Sequence, residues 1–326
     1  MSTLVSAIPL GESDARHLLA RTGLGPTPAE VAEYAQLDRA AAAQKLLDGV
    51  RTVAATPAPD WTAQDLPERP YRDMSDEERK ALREQQRDLG IELRSWWYTE
   101  LLTTPSPLTE RMTLFWHNHF VSALQKVKLP VLMYRQNVLL RREALGNFGH
   151  LLHEVARDPA MLVYLDGVQN RKGQPNENFA REVMELFTLG EGHYSEQDIR
   201  EAARALTGMG VDRASGEYRF RPALHDDGSK TVFGQRGRYD AGAFINLLLS
   251  RPETAEFVTA KLWREFISPE PDPVLVQRWA RQFRAGNYEL RPLLQTMLSS
   301  DAFYAAANRG VLVKSPVELT VGTLRQ

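Results

Sequence analysis

Helix-start punctuation recurs along this chain, and few folds other than a mainly helical one can accommodate it. Thr27-Pro28-Ala29-Glu30 supplies a capping hydroxyl, a proline at the first helical position where its missing N–H costs nothing, and a glutamate placed to reach back. Ser75-Asp76-Glu77-Glu78 repeats the capping box. Leu82, Leu89, Leu93, Trp96, Trp97 and Leu101 then recur at helical spacing, predicting one long helix to about Leu102. Ser106-Pro107 opens another, whose apolar stripe of Leu108, Met112, Phe115 and Phe120 carries Trp116, His117 and His119 near its end. Further helices are predicted over 130–143, 146–156 and 178–189, and one opened by Ser195 with Asp198 that stops at Gly208. Asp240–Leu249, Pro252–Phe266, Pro273–Ala285, Pro292–Ser299 and Pro316 onward complete the series. The expected fold is a mainly α, multi-helix globular bundle organised as one helical domain over 1–326.

Two stretches break the helical texture. Thr56–Met74 is rich in proline and charge with little periodicity, and is read as an ordered surface loop or a linker within the domain, the internal segment with most freedom to move. Glu217–Arg221 and Lys230–Gly234 alternate like short strands on either side of the turn-rich Leu224–Ser229, predicting a small antiparallel hairpin excursion near 217–234.

Composition excludes several classes. A formal charge of -2 leaves no global field for nucleic acid or an anionic membrane. The absence of cysteine removes disulfides, thiolate nucleophiles and zinc-thiolate sites. No window reaches the roughly 18 apolar residues that span a bilayer. Met1–Leu10 has no basic residue and is interrupted by Pro9, so it does not read as a signal peptide. The expected compartment is therefore the cytoplasm, with the periplasm or secretion as the alternative if a leader has been removed. The last helix is expected to run past Gln326.

Four constellations carry chemistry. Phe115-Trp-His-Asn-His-Phe120 places His117 and His119 beside large aromatics, where imidazoles suit metal ligation or proton transfer. Positions two apart point about 200° apart on a helix, so both reach one ion only where the helix ends or distorts. In Pro175–Gly190, Phe179, Val183, Leu186 and Phe187 form the apolar side. Glu177, Arg181 and Glu185 make one polar stripe there, and Asn178, Glu182 and Glu185 its neighbour. A solvated salt-bridge ladder is the plain alternative. Asn176 and Asn178, better as caps or ligands than as helix interior, and nearby Asp166 on a loop rim argue for a site. His193, between two glycines and a cap, is placed to turn inward. In Leu224–Lys230, His225 and Asp226 could ligate a metal while Lys230 balances an anion, although a plain polar hairpin would look similar. No His-Glu-x-x-His, EF-hand, phosphate-binding Gly-Lys-Ser/Thr loop or Gly-x-Ser-x-Gly elbow occurs.

Taken together, Phe115–Phe120, Asp158–Asp166, Pro175–Gly190, His225–Lys230 and Lys314-Ser-Pro-Val-Glu318 resemble the bacterial domain-of-unknown-function family 1800 (DUF1800). The opening Ala15-Arg-His-Leu-Leu-Ala-Arg-Thr-Gly-Leu-Gly-Pro-Thr-Pro28 resembles the start of that domain. The resemblance implies helical architecture and no established reaction. It also implies frequent export and gene neighbours of sulfatase-like type, making a sulfatase-like protein the expected partner. Its motif-matching polar residues here are His117, His119, Asp166, Asn176, Glu177, Asn178, Arg181, Glu182, Glu185, His193, His225, Asp226 and Lys230.

The chemistry of these residues suggests an enzyme of acid–base or metal-assisted, hydrolase-like type acting on an anionic or polymeric substrate. Glu177, Glu182, Arg181, Asp166 and Lys230 would form the catalytic set. His117, His119, Glu185, His193, His225 and Asp226 would hold a divalent metal, with no organic cofactor site. The alternative is a non-catalytic binding or assembly protein in which the same groups form a buried structural network.

Overall fold

The starts announced by the sequence are built as announced. Thr27 Oγ1 accepts the Glu30 amide while the Glu30 carboxylate takes the Thr27 amide, and the same reciprocal box closes at Ser75/Glu78 and Ser195/Asp198. The computed structural model describes residues 8–63 and 73–325. The opening residues and the centre of the proline-rich stretch, 64–72, lie outside the described residues.

The α-helices run in order: α1 Gly11–Thr22, α2 Pro28–Tyr34, α3 Arg39–Asp48, α4 Asp76–Thr103, α5 Pro107–His119, α6 Leu124–Val127, α7 Pro130–Arg142, α8 Phe148–Arg157 and α9 Pro159–Tyr164. They continue with α10 Glu177–Glu182, α11 Glu196–Ala205, α12 Ala241–Ser250, α13 Pro252–Phe266, α14 Pro273–Ala285, α15 Leu290–Ser299, α16 Asp301–Tyr304 and α17 Pro316–Arg325. A π-helix, Val183–Thr188, extends α10.

Burial follows the helical period. On α13, Ala255, Val258, Thr259, Leu262, Trp263 and Phe266 are buried, and they meet Val276, Trp279, Ala280 and Phe283 of α14, with the Trp263 and Trp279 rings 5.4 Å apart. Burying each large side chain contributes about 1.5–3 kcal/mol, so this contact anchors the C-terminal half. A small separate core, Leu24, Leu101 and Val321, pins α17 between the end of α1 and α4. The backbones cross so closely there that a Cβ on Gly25 would lie 2.7 Å from the Gly322 carbonyl oxygen, and Gly25 has φ +103°. Only glycine meets both demands.

Two local expectations are revised. The strand segments do not pair with each other: β2 (Tyr218–Phe220) pairs with β1 (Met209–Val211), and β3 (Lys230–Val232) pairs with β4 (Gln235–Gly237). Phe233 and Gly234 have φ of +51° and +73°, so they form the two-residue turn of the second hairpin rather than the end of a strand. Leu186 is exposed and Met184 buried, because the π-turn inserts an extra residue and rotates the face that an α-period extrapolates. The described part of the proline-rich stretch is docked on the helices beside it. The Ala55 and Thr56 amides donate to Glu100 of α4 at 3.1 and 2.6 Å, and Trp61 is buried against α6, α7 and α9.

Candidate functional site

The residues nominated from sequence are held on several elements: the end of α5, α10 with its π-turn, and the segments around 166, 193 and 225–230. α5 ends at His119, as convergence of its histidines would require, yet the two imidazoles part. Nε2 of His117 meets the Asn137 side-chain amide at 3.1 Å and its ring lies 4.6 Å from that of Trp97. Burial first, and the Arg141 charge second, hold its pKa down at about 3. His119 is enclosed by Phe115, Trp116, Phe120, Phe148, Phe187 and Phe257, with Nε2 3.1 Å from the Phe187 carbonyl oxygen. Burial keeps it neutral.

Along α10 the salt-bridge ladder is what forms. Arg181 donates two 2.9 Å bonds to Glu196 of α11 and lies 3.5 Å from Glu177, which also faces Arg200. Glu185, displaced by the π-turn, leaves the Arg181 stripe and accepts from Tyr194 Oη at 2.6 Å. Glu182 has no hydrogen-bond or ion-pair partner among the described residues; burial and Glu185 raise its pKa, against the pull of Arg181. Asn176 caps α10, Asn178 donates to the Leu165 carbonyl, and Asp166, in the left-handed region, pairs with Lys126 at 2.8 Å.

His193 is exposed rather than turned inward, because Gly190 and Gly192, both at positive φ, carry the connection outward. His225 Nδ1 lies 2.9 Å from the Thr207 carbonyl oxygen. Asp226 receives two bonds from Arg204, at 2.8 and 3.2 Å, which hold its pKa near 2. Lys230 is buried and donates to the Asp226 and Gly228 carbonyls, stapling its own turn. Among the described residues no three His, Asp or Glu converge as a metal-holding group, so the six proposed metal ligands do not form one centre.

A concave polar site lies elsewhere. A cleft of about 300 Å³ opens between the C-terminal end of α1 with its following loop, α5, α13 and the segment entering α17. Arg111 of α5 forms its charged wall. Its Nε lies 2.6 Å from Glu265 Oε1 of α13 and its Nη1 contacts Glu318 of α17, with the arginine side chain 7% exposed. The two carboxylates are tuned apart. Burial, reinforced by the charge on Glu318, raises the pKa of Glu265 in spite of Arg111. At Glu318 burial acts upward too, but Arg111 and the hydrogen bonds from Ser315 outweigh it and leave the pKa low. His17, Arg21, Arg264 and Lys314 complete the polar lining.

Sequence reasoning missed this site because its members are far apart in the chain and each looks ordinary on its own helix. One signal was present: the segments 15–28 and 314–318 both carried the family resemblance, and the structure brings them to one cleft. Residues 17–326 match the model of a family described as "Protein of unknown function (DUF1800)". No curated protein and no solved structure matches the chain.

Proposed function

The chain belongs to the DUF1800 family, and on that premise we propose that it is a hydrolase-type enzyme using Glu265 and Glu318 as a general acid–base pair on an anionic substrate in the cleft. The observation that carries this reading is Arg111 held between two carboxylates whose pKa values its surroundings push in opposite directions. Pairs of that kind divide acid and base roles. Glu318, kept ionised, takes a proton from water as the oxygen attacks, while Glu265, kept protonated to higher pH, gives its proton to the leaving group. Arg111 orients both and offsets the charge gathering between them.

The reading predicts turnover on some member of a panel of chromogenic carboxylic, phosphoric and glycosidic esters, with a bell-shaped pH profile. Glu265→Gln and Glu318→Gln, once shown to be folded, should each lower that rate about 10²- to 10⁴-fold. Turnover unchanged in both variants would sink the proposal. A non-catalytic reading finds support in one observation: Arg111 ties α5, α13 and α17 together, as a purely structural clasp would. Under it, both variants lose stability and no substrate is turned over.

A further inference from the structure

The cleft has a paired charged wall and a cationic rim. Arg21, Arg111, Arg264 and Lys314 face two carboxylates, an excess of two positive charges on a chain whose net charge is -2. Arg111 is consumed by Glu265 and Glu318. Arg264 and Lys314 are exposed and have no ion-pair partner among the described residues, and Arg21 has a 3.3 Å bond from Nη2 to the Asn308 carbonyl. Burial and the nearby Arg111 charge lower the pKa of Arg21, an environment that a bound anion would relieve. Buried Leu24 and half-buried Leu312 give the same cleft an apolar side, which strengthens attraction between a cation and a ligand inside.

We infer that Arg21, Arg264 and Lys314 form a seat for a tetrahedral oxyanion, a phosphate or sulfate group, beside the Glu265/Glu318 pair. Two guanidinium forks and a lysine point charge, approaching from three separate chain segments, can be shared among oxygens that spread in three dimensions, whereas a planar carboxylate engages one fork. The inference rests on the acid–base reading only for the use to which the seat is put: it names the charged group of that substrate, and binding at the seat requires no turnover.

Titration of the intact protein with inorganic phosphate, sulfate and acetate, followed calorimetrically at fixed ionic strength, tests it. Saturable binding of phosphate or sulfate is expected, weakened about tenfold in Lys314→Ala and in Arg264→Ala. It should persist in Glu265→Gln and Glu318→Gln, so a failed acid–base reading leaves this result standing. The two oxyanion arms decide between phosphoryl and sulfuryl ligands. Acetate binding as tightly as either, affinity unchanged in both cation variants of confirmed fold, or no binding of phosphate or sulfate would overturn the inference.

Discussion

Glu110 and Arg141 face each other between α5 and α7 with both side chains 1% exposed, joined by hydrogen bonds of 2.6 and 3.0 Å. Asn137 accepts from Arg141 at 2.6 Å, and the Trp97 indole N–H donates to Glu110 at 3.0 Å, so the charged atoms are enclosed by matched partners. Removing one partner strands the other charge in the interior. Arg141→Met is therefore expected to cost about 3–5 kcal/mol, and the double change Glu110→Leu with Arg141→Met markedly less than the sum of its parts. Urea unfolding of the three variants checks this; an additive double variant would contradict a buried, coupled pair.

The π-turn at Val183–Thr188 makes a sharper claim about two adjacent side chains. Leu186 is 44% exposed and Phe187 2% exposed, although α-periodicity puts both on the apolar face. Leu186→Lys should change stability by no more than about 0.5 kcal/mol, while Phe187→Ala should cost about 3–5 kcal/mol. Comparable losses at both positions in thermal melts would show that the segment is an ordinary α-helix.

That pair also marks where the sequence stops being legible. Capping residues and proline act within one turn, so helix starts at Pro28, Asp76, Pro107 and Glu196 could be read directly from their neighbours. The π-turn depends on packing of Met184 and Phe187 into the shared core and leaves no mark in the local pattern. The same limit applies to the site. The α10 ladder was visible because Glu177 and Arg181 are four residues apart, whereas Arg111, Glu265 and Glu318 meet only through the packing of α5, α13 and α17. Uniform polar residue types along one helix drew attention to the ladder, but Glu196 and Arg200 satisfy it from α11.

Asp158 provides a pH test of the core. It caps α9 by accepting the Met161 amide at 2.7 Å, receives the Gln136 amide at 2.8 Å, and is driven by burial to a pKa of about 7. An acid whose folded pKa is raised binds its proton more tightly in the folded chain. Its stabilising contribution is therefore full below about pH 4 and is lost as pH rises toward about 7, by an amount on the order of a few kcal/mol. His117 works in the opposite sense: neutral when folded, it favours the unfolded chain as pH falls below about 6.5. The difference in melting temperature between the parent and Asp158→Asn, which retains a good cap, isolates the first effect. The parent should lose ground to the variant steadily from pH 4 to 7; a constant difference would mean that Asp158 is ionised throughout.

Arg111 links stability to the cleft in a way that pH can also expose. Its replacement by Met leaves Glu265 and Glu318 without the cation that contacts both, inside a wall where each already has a cost of burial. A loss of about 3–5 kcal/mol at neutral pH is expected, of the size seen when one partner of a buried pair is removed. Without Arg111 the pKa of Glu265 rises further, since burial and Glu318 then act with one fewer opposing charge. The folded variant should therefore bind a proton that the unfolded chain does not, and regain stability as pH falls toward the range of an ordinary carboxylate. Adding Glu265→Leu to Arg111→Met should recover part of the loss at neutral pH and flatten its pH dependence. Urea midpoints for the single and double variants at pH 5 and pH 8 decide the matter: an equal loss at both pH values in the single variant would mean that Arg111 acts through packing of its aliphatic stem rather than through the two carboxylates.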